Sequence, residues 1–311
     1  MNIEPQNNIN LIGYNKIFLE LKNLFDNNIL PNKIIFSGCS GIGKSTLAYH
    51  LINYIFSKNE DNKYDSKNNL ILSSNKSYNL ILNNSHPNFF LITNDEDKKN
   101  IQISKIREMI NFTNKSSFNN NCKIILIDNI EYLNVNSVNA LLKVIEEPND
   151  NIFFFLIHNS KTKILDTLKS RCIKFNLHLD NEKKLQIINT ITNSKFYNDL
   201  NNDFKNIYNS PGDIISLYNF LTNNNIDLNI SIDELLKLII EKKLYKKDLF
   251  VKDRLSFFIE LFFNKNLLYL KSKNNIYNLY KYFLSKIDDC NKYNLDFENI
   301  LIEINGKLLN D

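Results

Sequence analysis

The stretch FSGCSGIGKSTLAYHL at residues 36–51 constrains the fold of this chain more than any other part of the sequence. It fits the pattern G-x-x-x-x-G-K-[ST] without a gap, which is typical of a loop that surrounds phosphate groups. The apolar run at residues 33–37 suits a buried strand, and helical spacing of apolar residues after the loop continues to Phe56. A strand, a glycine-rich loop and a helix in this order predict an α/β nucleotide-binding domain.

Six residues of this loop are predicted to bind the nucleotide. Glycines allow a tight turn that points backbone N–H groups at phosphate oxygens, beside the positive end of the following helix dipole. The lysine is expected to reach the β- and γ-phosphates, and the serine hydroxyl to ligate Mg²⁺. The predicted nucleotide-binding residues are Gly38, Gly41, Gly43, Lys44, Ser45 and Thr46.

Polar residues at the ends of two later strands extend the predicted site. Asp128 follows the apolar run 124–127, and an acid in this position holds Mg²⁺ in phosphate-loop proteins. Ser45 and Asp128 therefore form the predicted Mg²⁺ site. The next strand ends in His158 and Asn159. The amide of Asn159 can hydrogen-bond a phosphate, whereas the histidine is expected to be structural.

The residues after this aspartate weaken the expectation of hydrolysis. Asn129 is neutral, so its amide can hold a water molecule but cannot accept the proton of that water. Glu131 has the chemistry of a base, but proton transfer requires hydrogen-bond reach, which a sequence does not show. The sequence therefore leaves two roles open for Glu131: a catalytic base, or a surface carboxylate at the start of a helix.

Hydrophobic periodicity divides the chain into an α/β part and a helical part. The 311 residues are 43% hydrophobic, which is enough for more than one core. Alternating strands and helices predict a parallel sheet in a nucleotide-binding domain over residues 1–178. A small helical lid domain over 179–228 and an all-helical C-terminal domain over 229–311 are predicted to follow. Residues 57–84, rich in Asn, Ser, Lys and Asp, are predicted to form a solvated surface loop.

Charge, cysteines and hydropathy exclude several classes of protein. A net charge of +4 is too small to indicate nucleic-acid binding by itself. The N-terminus lacks the apolar core of a signal peptide, and no apolar run reaches the length of a membrane span. The 4 cysteines are scattered without a C-x-x-C pair, which argues against disulfides and zinc. We therefore expect a soluble, cytoplasmic protein without a membrane partner.

Four further stretches, in order, resemble the bacterial clamp-loader branch of the AAA+ ATPases. They are HPNFFLI (86–92), IQISKIREM (101–109), IILIDNIEYLNVNSVNALLKVIEEP (124–148) and TLKSRCIKF (167–175). The resemblance covers residues 11–178 and continues more weakly at 209–219. The HP-x-x-F-L-I element favours the delta-prime type of subunit, and the gamma/tau motor type is the alternative.

This resemblance implies a fold, a cofactor and a set of partners. The fold is an AAA+ phosphate-loop domain, a helical lid and a C-terminal collar that joins the subunits of a hetero-pentamer. The cofactors are ATP and Mg²⁺. The partners are clamp-loader subunits of the gamma/tau and delta types, the sliding clamp and, indirectly, primer–template DNA. The implied function is to help place the clamp on primed DNA during replication.

The resemblance also assigns a role to one arginine. Clamp-loader subunits carry an S-R-C motif whose arginine reaches the ATP of the neighbouring subunit, and here the motif is Ser170, Arg171 and Cys172. A guanidinium suits this role because its planar donors and permanent charge match the developing charge of a phosphoryl group. An arginine paired with a local carboxylate is the alternative.

The sequence departs from hydrolytic relatives of this family in three places. Asn129 occupies the position of their catalytic glutamate. Gly212 and Asp213 stand where they carry a lid arginine, and an aspartate there is expected to repel triphosphate. Residues 57–121 contain no cysteine, so the zinc module of many relatives is not expected. These departures imply weak or absent hydrolysis by this chain, which would donate Arg171 to an active neighbour.

Overall fold

The described part of the chain forms two compact units in the computed structural model. The larger unit comprises Met1–Ile187 and Ser210–Gly212, and the smaller unit comprises Ile188–Asn209 and Asp213–Asp311. The predicted division at residues 178 and 228 stays a prediction. Glu147 and Pro148 of the resembled motif lie outside the described residues. The structure describes residues 4–94, 100–146, 151–192, 196–205, 209–267, 273–293 and 295–309.

A parallel sheet of five strands forms the centre of the larger unit, as the sequence predicts. The strands lie in the order β2-β3-β4-β1-β5, and every neighbouring pair is parallel. Because the strands are parallel, the residues that follow β1, β3 and β4 meet at one edge of the sheet. The strands are β1 (Lys33–Gly38), β2 (Phe89–Ile92), β3 (Lys123–Ile127), β4 (Ile152–Asn159) and β5 (Ile173–Asn176).

Two hydrophobic cores cover the two faces of this sheet. Alternate residues of a strand point to opposite faces, so Ile34 and Ile35 of β1 belong to different cores. The first core is formed with α1, α2 and α3, and the second with α4 and α5. The helices of this unit are α1 (Asn15–Asp26), α2 (Lys44–Ser57), α3 (Lys76–Leu82), α4 (Ile103–Asn114), α5 (Val135–Glu146), α6 (Asp166–Lys169) and the start of α7 (Asn181–Thr192).

The prediction that residues 57–84 form a solvated loop is wrong. Part of the segment is α3, where the side chain of Asn75 accepts a hydrogen bond from the backbone N–H of Tyr78 and caps the helix. Tyr64, Tyr78 and Ile81 are buried in the first core. Asn75 caps a helix, and Asn69 and Asn84 have the positive φ angles typical of turns. The abundance of asparagine hid the spaced apolar residues that the core contains.

Every secondary-structure element assigned in the described residues of the smaller unit is a helix, which confirms the predicted helical character of the C-terminal part. At the start of α11 the Ser231 hydroxyl accepts from the Glu234 N–H, and the Glu234 carboxylate accepts from the Ser231 N–H, which satisfies amides that have no helical acceptor. Among the described helices, none is long and apolar enough to cross a membrane. The remaining helices are α8 (Phe196–Asp199), α9 (Asn202–Lys205), α10 (Pro211–Asn223), α11 (Ile232–Glu241), α12 (Leu244–Lys247), α13 (Leu249–Leu267), α14 (Lys273–Tyr293), α15 (Glu298–Ile304) and the π-helical turn Asn305–Leu309.

Candidate nucleotide-binding site

The loop between β1 and α2 has a backbone that requires glycine. Gly41 and Gly43 have φ angles of 74° and 90°, and Gly43 is the N-cap of α2. Residues with a Cβ rarely adopt such angles. At Gly38 a Cβ would come within 2.8 Å of the Leu177 carbonyl oxygen. Each of the three predicted glycines therefore has a steric reason to be there.

Lys44 folds back over this loop. Its Nζ donates to the carbonyl oxygens of Gly38 at 3.1 Å and Cys39 at 2.7 Å, and the residue is only 7% exposed. Burial lowers the pKa of Lys44, while the carboxylates of Asp128 and Glu131 counteract this shift. A buried ammonium group beside the N-terminus of α2 favours an anion at this position.

Other groups hold two further carbonyls of the loop. The Tyr14 hydroxyl donates to the Ile42 oxygen at 2.7 Å, and the Gly212 N–H donates to the Gly41 oxygen at 2.9 Å. With these oxygens bound by the protein, the α2 N-terminus can offer its backbone N–H groups, which have no helical acceptors, to phosphates. The residues present therefore fit a nucleotide phosphate chain, and Thr46 lies in the first turn of α2.

The structure brings the two predicted metal ligands together. The Ser45 hydroxyl donates to the Asp128 carboxylate, at 3.3 Å from Oδ1 and 3.4 Å from Oδ2. Burial raises the pKa of Asp128, and the charge of Lys44 and the hydrogen bond from Ser45 oppose this shift. The described residues include no group of three or more His, Cys, Asp or Glu that could hold a metal ion. One carboxylate and one hydroxyl suit Mg²⁺, which typically keeps water ligands and is bound largely through phosphates.

The backbone at Asn129 directs the next acidic side chain into the site. Asn129 has the left-handed angles φ 56° and ψ 61° and begins a short 3-10 helix at Ile130–Tyr132. Within that helix, Glu131 Oε2 accepts a hydrogen bond at 3.3 Å from the backbone N–H of Asn159. The sequence left Glu131 unassigned because it shows neither the left-handed turn at Asn129 nor the contact of Glu131 with β4.

Asn159 and His158 at the end of β4 have different surroundings. Asn159 lies opposite Gly38 in the sheet, so it adjoins the phosphate loop. His158 is buried, and its ring nitrogens lie 3.0 Å from the Ser37 hydroxyl and 3.2 Å from the Thr162 hydroxyl. Burial, with a smaller contribution from the charge of Lys174, lowers the pKa of His158 to about 4. The histidine is therefore neutral at physiological pH and serves to hold the strands.

Arg171 lies away from the phosphate loop. It precedes β5 and therefore belongs to the amino edge of the sheet, opposite the edge that carries Lys44. Its NH2 group lies 2.6 Å from Glu146 Oε1, and its NH1 group donates to the Thr167 carbonyl at 2.9 Å. The local carboxylate partner that the sequence analysis gave as the alternative is thus present.

The lid region has a cation near Asp213. The Asp213 carboxylate forms an ion pair with Arg254 on α13, within the smaller unit. The charge expected to repel triphosphate is therefore compensated, and the repulsion itself stays a prediction. The helix α10, which begins at Pro211, contains no arginine.

Comparisons with known proteins identify the family of this chain. Subunit delta' of DNA polymerase III from Pseudomonas aeruginosa is 32% identical over 99 residues, which cover 32% of this chain and 30% of that protein. Subunit delta' from Buchnera aphidicola subsp. Baizongia pistaciae is 31% identical over 154 residues, covering 47% of this chain and 44% of that protein. In both cases the match spans less than half of the relative's length.

Among solved structures, a DNA polymerase III gamma subunit-related protein from Thermotoga maritima matches with a TM-score of 0.49 and 17% identity, covering 91% of this chain and 96% of that chain. A family model described as DNA polymerase III, delta subunit, matches residues 13–181. This range is more than half of the chain and contains the phosphate loop, Asp128, Asn159 and the Arg171 motif. The resemblance to clamp-loader proteins is confirmed, and the chain belongs to the DNA polymerase III delta subunit family.

Proposed function

We propose that this chain acts as a delta-prime-like subunit of the DNA polymerase III clamp loader. In this role it binds Mg-ATP, hydrolyses it weakly or not at all, and donates Arg171 to the nucleotide site of a neighbouring subunit. Its partners are the gamma/tau and delta subunits of a cytoplasmic hetero-pentamer, the sliding clamp and, indirectly, primer–template DNA. Residues 179–228 act as the lid, and residues 229–311 as the collar.

The placement of Lys44 and Arg171 at opposite edges of the sheet carries this proposal. The register pairs Ile173, near Arg171, with Ile34 at the start of β1, whereas Gly38 ends β1 at the phosphate loop. At roughly 3.3 Å per residue, the two edges are about 13 Å apart along the strand. An exposed arginine at the far edge is poorly placed for its own nucleotide and well placed for that of a neighbour.

The residues of the phosphate loop are assigned to nucleotide binding. Backbone N–H groups of the loop and of Thr46 bind phosphate oxygens, and Lys44 supplies the positive charge. Ser45 and Asp128 hold Mg²⁺, which neutralises phosphate charge when it is bound. Asn159, next to Gly38, offers its amide to the terminal phosphate.

Weak hydrolysis follows from the residue at position 129. The amide of Asn129 cannot accept a proton from an attacking water, and the loss of a general base typically costs about 10²–10⁴ in rate. The helix α10 contributes no arginine to balance the charge of the transferring phosphoryl group. Binding without efficient turnover is the function that these residues support best.

A second candidate function is an active ATPase of the gamma/tau type, and the position of Glu131 favours it. The Glu131 carboxylate contacts the backbone of Asn159 and its charge acts on Lys44, so it belongs to the site. A carboxylate can accept the proton that Asn129 cannot. In this alternative, Glu131 replaces the missing glutamate as the base.

ATP turnover by the complex that copurifies with this chain distinguishes the two functions. Variants Lys44→Ala, Arg171→Ala and Glu131→Gln are compared with wild type at equal complex content, and the exposed Glu20→Gln is the control. The proposed function predicts a large loss for Arg171→Ala and little change for Lys44→Ala and Glu131→Gln. Sharp losses for both Lys44→Ala and Glu131→Gln would establish the active ATPase instead. Turnover that is unchanged in Arg171→Ala contradicts the arginine role.

A further inference from the structure

The guanidinium of Arg171 is held by two separate elements. Its NH2 group pairs at 2.6 Å with Oε1 of Glu146, the last described residue of α5. Its NH1 group donates to the Thr167 carbonyl of α6 at 2.9 Å and to the Ser170 hydroxyl at 3.3 Å. Because a guanidinium is planar, contacts on two sides determine the orientation of the whole group.

The ion pair between Glu146 and Arg171 lies at the surface. Glu146 is the last described residue of α5. Both side chains are exposed, 37% for the arginine and 47% for the glutamate. An exposed ion pair adds little to folding stability, so stability alone gives no reason for this arrangement.

A different residue anchors the backbone next to Arg171. The side chain of Cys172 packs against the core that α4 and α5 form on the sheet, and its burial raises the pKa of the thiol to about 11. The position of the Arg171 backbone is therefore set by the core. The contact with Glu146 determines only the direction of the side chain.

We propose that Glu146 is a positioning residue for Arg171. It holds the guanidinium at the exposed amino edge of the sheet in the orientation from which it reaches the phosphates of a nucleotide bound by a neighbouring subunit. The inference rests on the proposed function, because it assumes that Arg171 acts across a subunit interface. Glu146 itself does not contact the reacting phosphate. Its contribution passes entirely through Arg171.

The test is a double-mutant cycle in the complex that copurifies with this chain. Glu146→Ala removes the contact, Glu146→Gln keeps an acceptor without the charge, and the exposed Glu20→Ala is the matched control. We expect Glu146→Ala to lower kcat for ATP by about tenfold, since misplacing a reacting group is costly, while KM stays near the wild-type value. Glu146→Gln is expected to fall between Glu146→Ala and wild type.

The double variant tests whether Glu146 affects turnover through Arg171. If Glu146 acts through Arg171, Glu146→Ala combined with Arg171→Ala has the turnover of Arg171→Ala alone. A further loss in the double variant, or wild-type or faster turnover in Glu146→Ala, would overturn the inference while leaving the arginine role intact. Full turnover in Arg171→Ala alone would overturn the arginine role and this inference together, so the two failures are distinguishable.

A second measurement on the full-length isolated chain does not depend on turnover. The side-chain N–H signals of Arg171, observed by nitrogen-15 NMR, report how firmly its guanidinium is held. We expect faster hydrogen exchange and faster reorientation in Glu146→Ala than in wild type or Glu20→Ala. The thermal unfolding midpoint is expected to stay the same. Identical Arg171 signals in wild type and Glu146→Ala would overturn the inference.

Discussion

The phosphate loop and the Arg171 edge belong to the same sheet but are built in different ways. At the loop, Lys44 is 7% exposed, and carbonyl oxygens of the loop are held by Lys44, Tyr14 and Gly212. At the other edge, the Arg171 side chain is 37% exposed and contacts an exposed glutamate. Lys44 is thus enclosed by groups of this chain, whereas the Arg171 guanidinium is open to solvent.

Under the proposed function, this difference separates the nucleotide binding of the isolated chain from the activity that requires a second subunit. A buried charge surrounded by fixed dipoles keeps its geometry without a partner, because solvent cannot replace the contacts. An exposed guanidinium is screened by water and salt and gains strength only when an interface excludes solvent. Substitutions at the loop should therefore alter the isolated chain, and substitutions at the Arg171 edge should alter the assembly.

The largest effect in the isolated chain is expected for Lys44→Ala. The variant removes the ammonium group that is proposed to bind phosphate, and charge-assisted hydrogen bonds of this kind contribute up to about 3 kcal/mol. Mg-ATP affinity should fall by about a hundredfold. Isothermal titration calorimetry measures the change, with the exposed Lys16→Ala as the control of equal charge. An affinity equal to that of wild type would refute the assignment of the pocket.

Gly212→Ala tests whether the contact with Gly41 supports the loop. A Cβ at residue 212 would come within 2.7 Å of the Gly41 Cα and 2.9 Å of its carbonyl oxygen. These are backbone atoms, so the clash should lower the free energy of unfolding by about 2 kcal/mol. Gly306→Ala is a matched control, because a Cβ there meets nothing within 4 Å. Equal urea midpoints for the two variants would show that the loop does not depend on this contact.

The pH dependence of stability probes His158 beneath the loop. Burial lowers the pKa of His158 to about 4, so the folded chain stays unprotonated where the unfolded chain takes up a proton. Above about pH 6.5, His158 makes its full contribution to the free energy of unfolding. This contribution falls by about 1.4 kcal/mol per pH unit as the pH drops towards 4. His50 and His86 also have pKa values of about 4 because of burial, so they contribute to the same slope.

His158→Gln should therefore flatten the pH dependence only in part. Urea denaturation at several values between pH 6.5 and 4 measures the slope, and the exposed His178→Gln is the control. The decrease in the free energy of unfolding per pH unit should be smaller in His158→Gln than in wild type, and equal to wild type in His178→Gln. If His158→Gln has the same pH dependence of unfolding as wild type, His158 is not shielded from water. The loop end of β4 would then be as open to solvent as the Arg171 edge.

The sheet and the loop could be predicted because their signals are local. A strand covered on both faces is a continuous apolar run, and the phosphate loop needs glycine at particular positions of a short segment. The strands β1, β3 and β4 and the residues at their carboxyl ends follow from these two rules. Parallel pairing then brings Lys44, Asp128 and Asn159 to one edge without further information.

The features that the sequence did not show depend on contacts between distant residues or on backbone conformation. Glu131 reaches Asn159 from a short helix that begins at Asn129, which has a left-handed conformation. The pairing of Glu146 with Arg171 joins α5 to the segment just before the edge strand β5, and no spacing rule connects them. The burial of Tyr64, Tyr78 and Ile81 was missed because residues with cap and turn propensity dominate the composition of residues 57–84.

The smallest effect in the isolated chain is expected for Arg171→Ala. This variant tests whether the exposed Arg171 edge is independent of the phosphate loop. An exposed ion pair contributes at most about 1 kcal/mol, so the free energy of unfolding from urea denaturation should change by less than that. Mg-ATP affinity should stay at the wild-type value, because Arg171 lies at the opposite edge from Lys44. A larger loss of stability would show that Arg171 is a structural residue, and weaker Mg-ATP binding would show that the two edges are not independent. With both properties unchanged, any loss of turnover in the assembled complex has to come from a nucleotide site outside this chain.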